Sequence, residues 1–281
     1  MSENKHIGAI ICPSCRKLIS ASAKECMHCG MKNPNLWGFA GVLRNILGGQ
    51  ISFIPIISAV CIAMYVISLL IDPSAIFQPR GMLGFLSPSG QSLNRLGMTG
   101  FFAMVEHGRW WTLITAIYLH GGILHILFNV LWIRQLGPVV EDFYGISRAF
   151  IIFTVSGVIG FIFSSFAFII SKYFMVAYTI GASGSIFGLL GALVFYGRQR
   201  GGVIGTAIYR QTGQWAVVLF IFGFLFPGID NFAHAGGFVG GYLSASLLGF
   251  TEIKPENRKH HLLALAAIGL TLLAFLLALF A

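Results

Sequence analysis

Residues 51–71, ISFIPIISAVCIAMYVISLLI, run for 21 positions without one charged side chain. About 20 apolar residues span the hydrocarbon core of a bilayer as a helix. Inside lipid, the backbone must satisfy its own hydrogen bonds, so a single spanning segment can only be helical or part of a closed barrel. The stretch LLALAAIGLTLLAFLLALFA at 262–281 has the same character. Apolar runs of helical length recur between them, and their spacing predicts helices near 51–71, 121–137, 149–171, 183–197, 214–227, 233–250 and 261–281. Composition agrees: 56% of residues are hydrophobic and 10% charged, against about 25% charged in soluble domains. The expected class is an all-α polytopic membrane protein.

The net charge of +9 is spread singly through the short segments between spans, with no Lys/Arg-rich run. That is the signature of topology control rather than nucleic-acid binding, and no nucleic-acid partner is expected. With the N-terminus cytoplasmic, the inner segments collect 14 of the 18 Lys and Arg residues, leaving Arg80, Arg95, Arg109 and Lys172 outside. Seven spans then put the C-terminus outside, and a bacterial inner membrane is the expected location. The polar, cysteine-bearing first forty residues do not read as a cleavable signal. Between the first two spans, residues 72–120 are rich in Gly, Pro and aromatics, and are expected to rest partly in the outer interface, anchored by Trp110 and Trp111.

Polar groups inside a bilayer are costly, so the clusters HGGILHILFN at 120–129, GASG at 181–184 and NFAHAGG at 231–237 single themselves out. Ser183 admits two readings. Gly184, Gly188 and Gly191 form a small-residue stripe for helix contact, beside which Ser183 is merely small. Alternatively Ser183 is a nucleophile, which needs a base. His234 is such a base, and its predicted helix carries a matching stripe of Gly237, Gly241 and Ala245 on the same face. Two glycine-faced helices can approach until their backbones touch, which would bring hydroxyl and imidazole into reach of each other. The packing reading thus makes the catalytic one geometrically feasible. His125 and Asn129, four apart on one helical face, offer donors suited to an oxyanion, or else polar glue between helices. His120 lies five before His125, so the two cannot chelate a metal from one regular helix, and no HExxH motif occurs. Asp230 sits in what reads as an outer turn, and GASGS departs from G-x-S-x-G, so a two-residue Ser–His mechanism is expected.

In this order the three motifs resemble the rhomboid family of intramembrane serine proteases over about residues 51–250. The resemblance implies a six-helix core and peptide hydrolysis, without a catalytic cofactor, of single-span membrane proteins. It implies Ser183 as nucleophile, His234 as base, and Asn129, His125 and the Ser183 amide as oxyanion donors. His120, Gly181, Gly184 and Phe187 are implied as supporting residues, and the seventh span resembles the six-plus-one variant. Two positions depart from the family pattern. Thr112 stands where many members carry the Arg of a Trp-Arg pair, and Phe187 where some carry Tyr. Neither departure replaces Ser183 or His234, and an aromatic ring at 187 could still pack on His234.

The head of the chain holds Cys12, Cys15, Cys26 and Cys29 in a C-x2-C-x10-C-x2-C pattern, the spacing of a zinc-ribbon-like site with four thiolate ligands. Disulfides are disfavoured if the head faces a reducing cytosol. His28 reads as a bystander and Cys61 as a packed small hydrophobe. The expected layout is a four-cysteine zinc module at 1–35, an interfacial linker at 36–50 in which Leu36, Phe39, Leu43 and Leu47 make one face of a short helix, a protease core at 51–250, and a linker with a seventh span at 251–281. A cytosolic partner for the module is open. Two rivals to the enzyme reading are an inactive rhomboid-like binder or chaperone of membrane helices, and a transporter or channel. The latter is opposed by polar groups gathered at one membrane level.

Overall fold

The computed structural model describes residues 9–12, 14–15, 17–20, 23–32, 34, 52–77, 86–170, 177–226 and 228–280. The expected linker helix around Leu36 to Leu47 lies outside these residues. The described chain is mostly helical. A small hairpin, β1 (Ala9–Ile11) and β2 (Leu18–Ser20), stands at its head. Seven long helices follow: α1 (Phe53–Ile71), α2 (Ile123–Tyr144), α3 (Ile146–Ile170), α4 (Ser183–Arg200), α5 (Gly202–Leu225), α6 (Asn231–Leu248) and α7 (Arg258–Phe280).

Single glycines reverse the chain between α2 and α3 and between α4 and α5. Gly145 (φ +85) and Gly201 (φ +64) occupy backbone conformations that L side chains resist. The amino end of α1 is secured by Ser52, whose hydroxyl accepts the Ile54 amide at 3.1 Å. It is secured as well by Glu141 from the last turn of α2, which accepts from Ser52 Oγ and the Phe53 amide, both at 2.9 Å. A carboxylate at a helix amino terminus meets unpaired N–H groups and the positive end of the dipole.

By length and composition α1, α2, α3 and α7 are long and apolar enough to cross a membrane. The three helices outside that set have identifiable reasons. α4 is the central helix: every residue from Gly184 to Gly197 is buried by protein, so it needs no lipid-facing apolar surface and can be rich in glycine. α6 shares that glycine content and packs against α3 and α4. α5 begins at Gly202, twelve residues before the predicted start, because the polar run YRQTGQ stays helical with its side chains largely exposed. Polarity ends a helix in lipid but not one that continues into water.

Residues 86–119 belong to the segment 72–120 expected to rest partly in the outer interface. Trp110 is exposed, but Met104, Leu113, Ala116, Ile117 and Tyr118 enter the main apolar core. Thr99 pairs with Thr179, donating and accepting backbone hydrogen bonds of 3.3 and 2.8 Å. The Gly181 amide donates to the Ala116 carbonyl at 2.8 Å. The segment is therefore stitched to the strand-like approach that delivers Ser183 to α4.

Candidate active site and cysteine cluster

Ser183 is the first residue of α4, and Gly181 (φ +120) makes the turn that precedes it. His234 lies in the first turn of α6. The two helices meet through their glycines. A Cβ on Gly237 would overlap the carbonyl and Cα of Gly184, one on Gly241 would overlap those of Gly188, and one on Gly191 would overlap the Phe238 carbonyl. Both stripes are consequently in backbone contact along their length, and Ala245 continues the seam with no exposure. The contact begins one residue after Ser183 and one residue before His234, since the space at Gly184 faces the Ala233 carbonyl.

One turn into α4, Phe187 stacks on the His234 ring, with centroids 4.3 Å apart and planes 15° from parallel. That contact fixes the plane of a buried imidazole, while Ser183 is half-buried. Among the described residues no hydrogen bond joins Ser183 to His234, and His234 Nδ1 has no protein partner. Catalytic hydrogen bonds are often long in the substrate-free state and tighten on binding.

Asp230 is occupied elsewhere, so it does not complete a triad. Its Oδ1 accepts the Ala233 amide at 2.9 Å, capping α6, and its Oδ2 accepts from Ser164 Oγ of α3 at 2.5 Å. Capping aspartates stabilise a helix by about 1 kcal/mol. The sequence reading of Asp230 as an ordinary turn residue missed this role, although an Asp directly before a helix start is a capping signal.

His125 Nδ1 accepts the Gly121 amide at 3.3 Å, so the neutral ring carries its proton on Nε2. A Cβ on Gly181 would fall 2.6 Å from that nitrogen. Gly181 thus serves two ends, a left-handed turn and room for an N–H donor beside Ser183. Asn129 is buried and donates through Nδ2 to the His125 carbonyl at 2.8 Å, while its Oδ1 has no protein partner. His120 is fully buried with its ring edge-on to His125, centroids 5.1 Å apart, and with neither nitrogen bonded to protein. Thr112, the residue at the departing position, is buried and donates to Thr99 Oγ1 at 3.0 Å. Nearby, Arg109 donates to Asn94 Oδ1 at 3.0 Å and lies 5.9 Å from the Trp111 ring centroid.

At the head of the chain the four cysteine sulfurs lie within 4.8 Å of one another. Cys12 and Cys29 are 3.7 Å apart, as are Cys15 and Cys26. A tetrahedron with metal–sulfur bonds of about 2.3 Å has edges near 3.8 Å, so the donor set fits a metal of zinc's size and softness. Each CxxC segment closes a knuckle: Cys12 N–H donates to Lys17 O at 2.9 Å behind Cys12 and Cys15, and Cys26 N–H to Met31 O at 2.8 Å behind Cys26 and Cys29. Burial pushes the Cys12 thiol up to about 12. At Cys26 burial acts in the same direction, but the His28 and Cys29 amides together with the Cys12 and Cys29 thiols outweigh it and hold the thiol down to about 7. Thiols this crowded do not all ionise without a cation to share.

A Rhomboid domain profile matches residues 107–250. The chain is 36% identical over 179 residues to Rhomboid protease GluP of Bacillus subtilis (strain 168), covering 61% of this chain and 33% of GluP. It is 34% identical over 170 residues to RHOMBOID-like protein 7 of Arabidopsis thaliana, covering 58% of this chain and 50% of that protein. Against the putative rhomboid protease YdcA of Bacillus subtilis (strain 168) the identity is 32% over 163 residues, covering 58% of this chain and 77% of YdcA. The chain spans a third to a half of the length of GluP and RHOMBOID-like protein 7.

Proposed function

The chain belongs to the rhomboid family of membrane proteins, and on that premise we propose that it is an intramembrane serine endopeptidase working through a Ser183–His234 dyad. The observation that carries this reading is the backbone contact of Gly184 and Gly188 with Gly237 and Gly241, with Phe187 laid on the His234 ring. It sets a hydroxyl and an imidazole at the adjoining amino ends of two paired helices.

In this mechanism Ser183 Oγ attacks the substrate carbonyl carbon as His234 takes the hydroxyl proton. The carbonyl oxygen gains the negative charge and is held by His125 Nε2–H, an Asn129 amide N–H and the Ser183 amide, with the α4 dipole assisting. Collapse breaks the peptide C–N bond, and His234 returns its proton to the departing amine. Water then attacks the acyl carbon as His234 takes its proton; collapse breaks the bond from that carbon to Ser183 Oγ, His234 returns the proton to Oγ, and the new carboxyl terminus leaves. Substrates are single-span membrane proteins, whose helices must unwind locally to present a carbonyl.

The ends of α2, α4 and α6 and the starts of α3, α5 and α7 are taken as cytosolic, together with the N-terminal module. Ser183 and His234 then lie towards the outer face, and the C-terminus lies outside. Reconstituted protein is expected to cut a single-span substrate into two fragments. Retention of an intact substrate without any cleavage would favour the inactive-binder reading instead.

The cysteine quartet is assigned to one structural zinc ion, held by Cys12, Cys15, Cys26 and Cys29, which would supply folding energy to a module whose buried apolar cluster, among the described residues, is only Ile10, Ile19 and two of those cysteines. Elemental analysis is expected to find one zinc per chain. Cys12→Ser with Cys26→Ser should lower that to none, and a metal-free, folded head would contradict the assignment.

A further inference from the structure

Buried polar contacts at the end of the helices opposite Ser183 converge on the loop 249–257. Arg148, at the start of α3, is fully buried. It donates to Tyr144 O at 2.5 Å, Lys254 O at 2.8 Å and Gly249 O at 3.1 Å, so it holds the carboxyl end of the His234 helix. Glu256 accepts the Arg148 amide at 2.9 Å and fits there because position 145 is glycine, where a Cβ would fall 2.6 Å from Glu256 Cγ. Glu252 accepts from Tyr196 at 2.7 Å and pairs with Arg200 at 3.2 Å, so the same loop holds the carboxyl end of the Ser183 helix. Thr251 N–H donates to Phe143 O at 2.8 Å and ties in α2.

The cysteine module sits on this loop. Ser14, between two ligand cysteines, donates to the Glu256 carbonyl at 3.5 Å. A cavity of about 400 Å³ lies between the two parts, lined by Ser14 and Cys15 on one side and by Asp142, Gly145, Thr251 and Glu256 among others on the opposite side. The module carries Lys17, Lys24 and Lys32 beside one described acid, Glu25, and the cavity wall opposite it carries Asp142, Glu252 and Glu256. Such fields orient a contact more than they strengthen it.

We infer that the four-cysteine module is an intramolecular docking element, seated on loop 249–257, that steadies the ends of α4 and α6 remote from Ser183 and His234. The seating is independent of the protease reading, whereas unfolding the module by replacing its cysteines rests on the zinc assignment.

Two measurements test it in the full-length protein in lipid. A photo-crosslinking amino acid placed at Pro255 is expected to crosslink to peptides from residues 9–32, and crosslinks confined to other regions, or none, would overturn the seating. Hydrogen exchange is then compared between the natural chain and the Cys12→Ser, Cys26→Ser chain. Exchange at 250–257 should rise about tenfold or more, while the middle of α4 stays protected. Unchanged exchange with the module unfolded would overturn the steadying role. Should the double variant fail to accumulate, the crosslink in the otherwise natural chain still decides the seating, and zinc content separately decides the metal.

Discussion

Ser183→Ala is expected to lower kcat on a single-span substrate by about a million-fold, His234→Ala by a similar factor, with KM nearly unchanged. The reason is that the two groups act as one unit. Without the imidazole the hydroxyl stays protonated, and without the hydroxyl the imidazole has nothing to activate. The double variant should consequently be no slower than either single one, because nothing remains for the second change to remove. Single-turnover cleavage in lipid measures this directly. Multiplicative losses would mean that the two residues contribute separately, and retention of cleavage by either single variant would remove the dyad altogether.

The second large effect lies in the seam between α4 and α6. Gly241→Leu places a side chain where the Gly188 backbone already sits, so no change of rotamer relieves the overlap. The helices must part, losing the close packing that holds them in lipid, and overpacking of this kind costs about 1–3 kcal/mol or more. The same displacement carries His234 away from Ser183, so cleavage should fall further than stability alone dictates. Gly269→Ala is the matched control: a methyl there meets nothing within 4 Å, and both stability and cleavage should be retained. Thermal unfolding in detergent, read beside activity, separates the two effects. Equal behaviour of the two variants would contradict the seam.

Much of this was legible in the sequence because it is local. A charge-free run of helical length declares a span, and glycines at spacings of three and four declare a face, without knowledge of any partner. The two stripes even matched in register, Gly184 and Gly188 against Gly237 and Gly241. What escaped was non-local. Arg148 and Glu256 are 108 positions apart, and a lone Arg at a span boundary reads as a topology signal before its buried carbonyl partners are seen. Asp230 reads as a turn residue until Ser164, on another helix, is placed beside it. Residues 72–120 were expected to rest partly at the interface from their Gly, Pro and aromatic content. The burial of Ile117 and Leu113 depends instead on a gap between helices that composition does not reveal. The early start of α5 escaped for the converse reason, since a hydropathy reading follows lipid contact and loses a helix where its surroundings turn polar.

The most direct test of a hydroxyl made nucleophilic by a neighbouring imidazole is its capture by a fluorophosphonate, with the adduct located by mass spectrometry in folded protein. The adduct is expected on Ser183 in the natural chain and is expected to be lost in His234→Ala. A folded natural chain that takes up no label at Ser183, or a His234→Ala chain labelled as fast as the natural one, would contradict the coupling of the two residues.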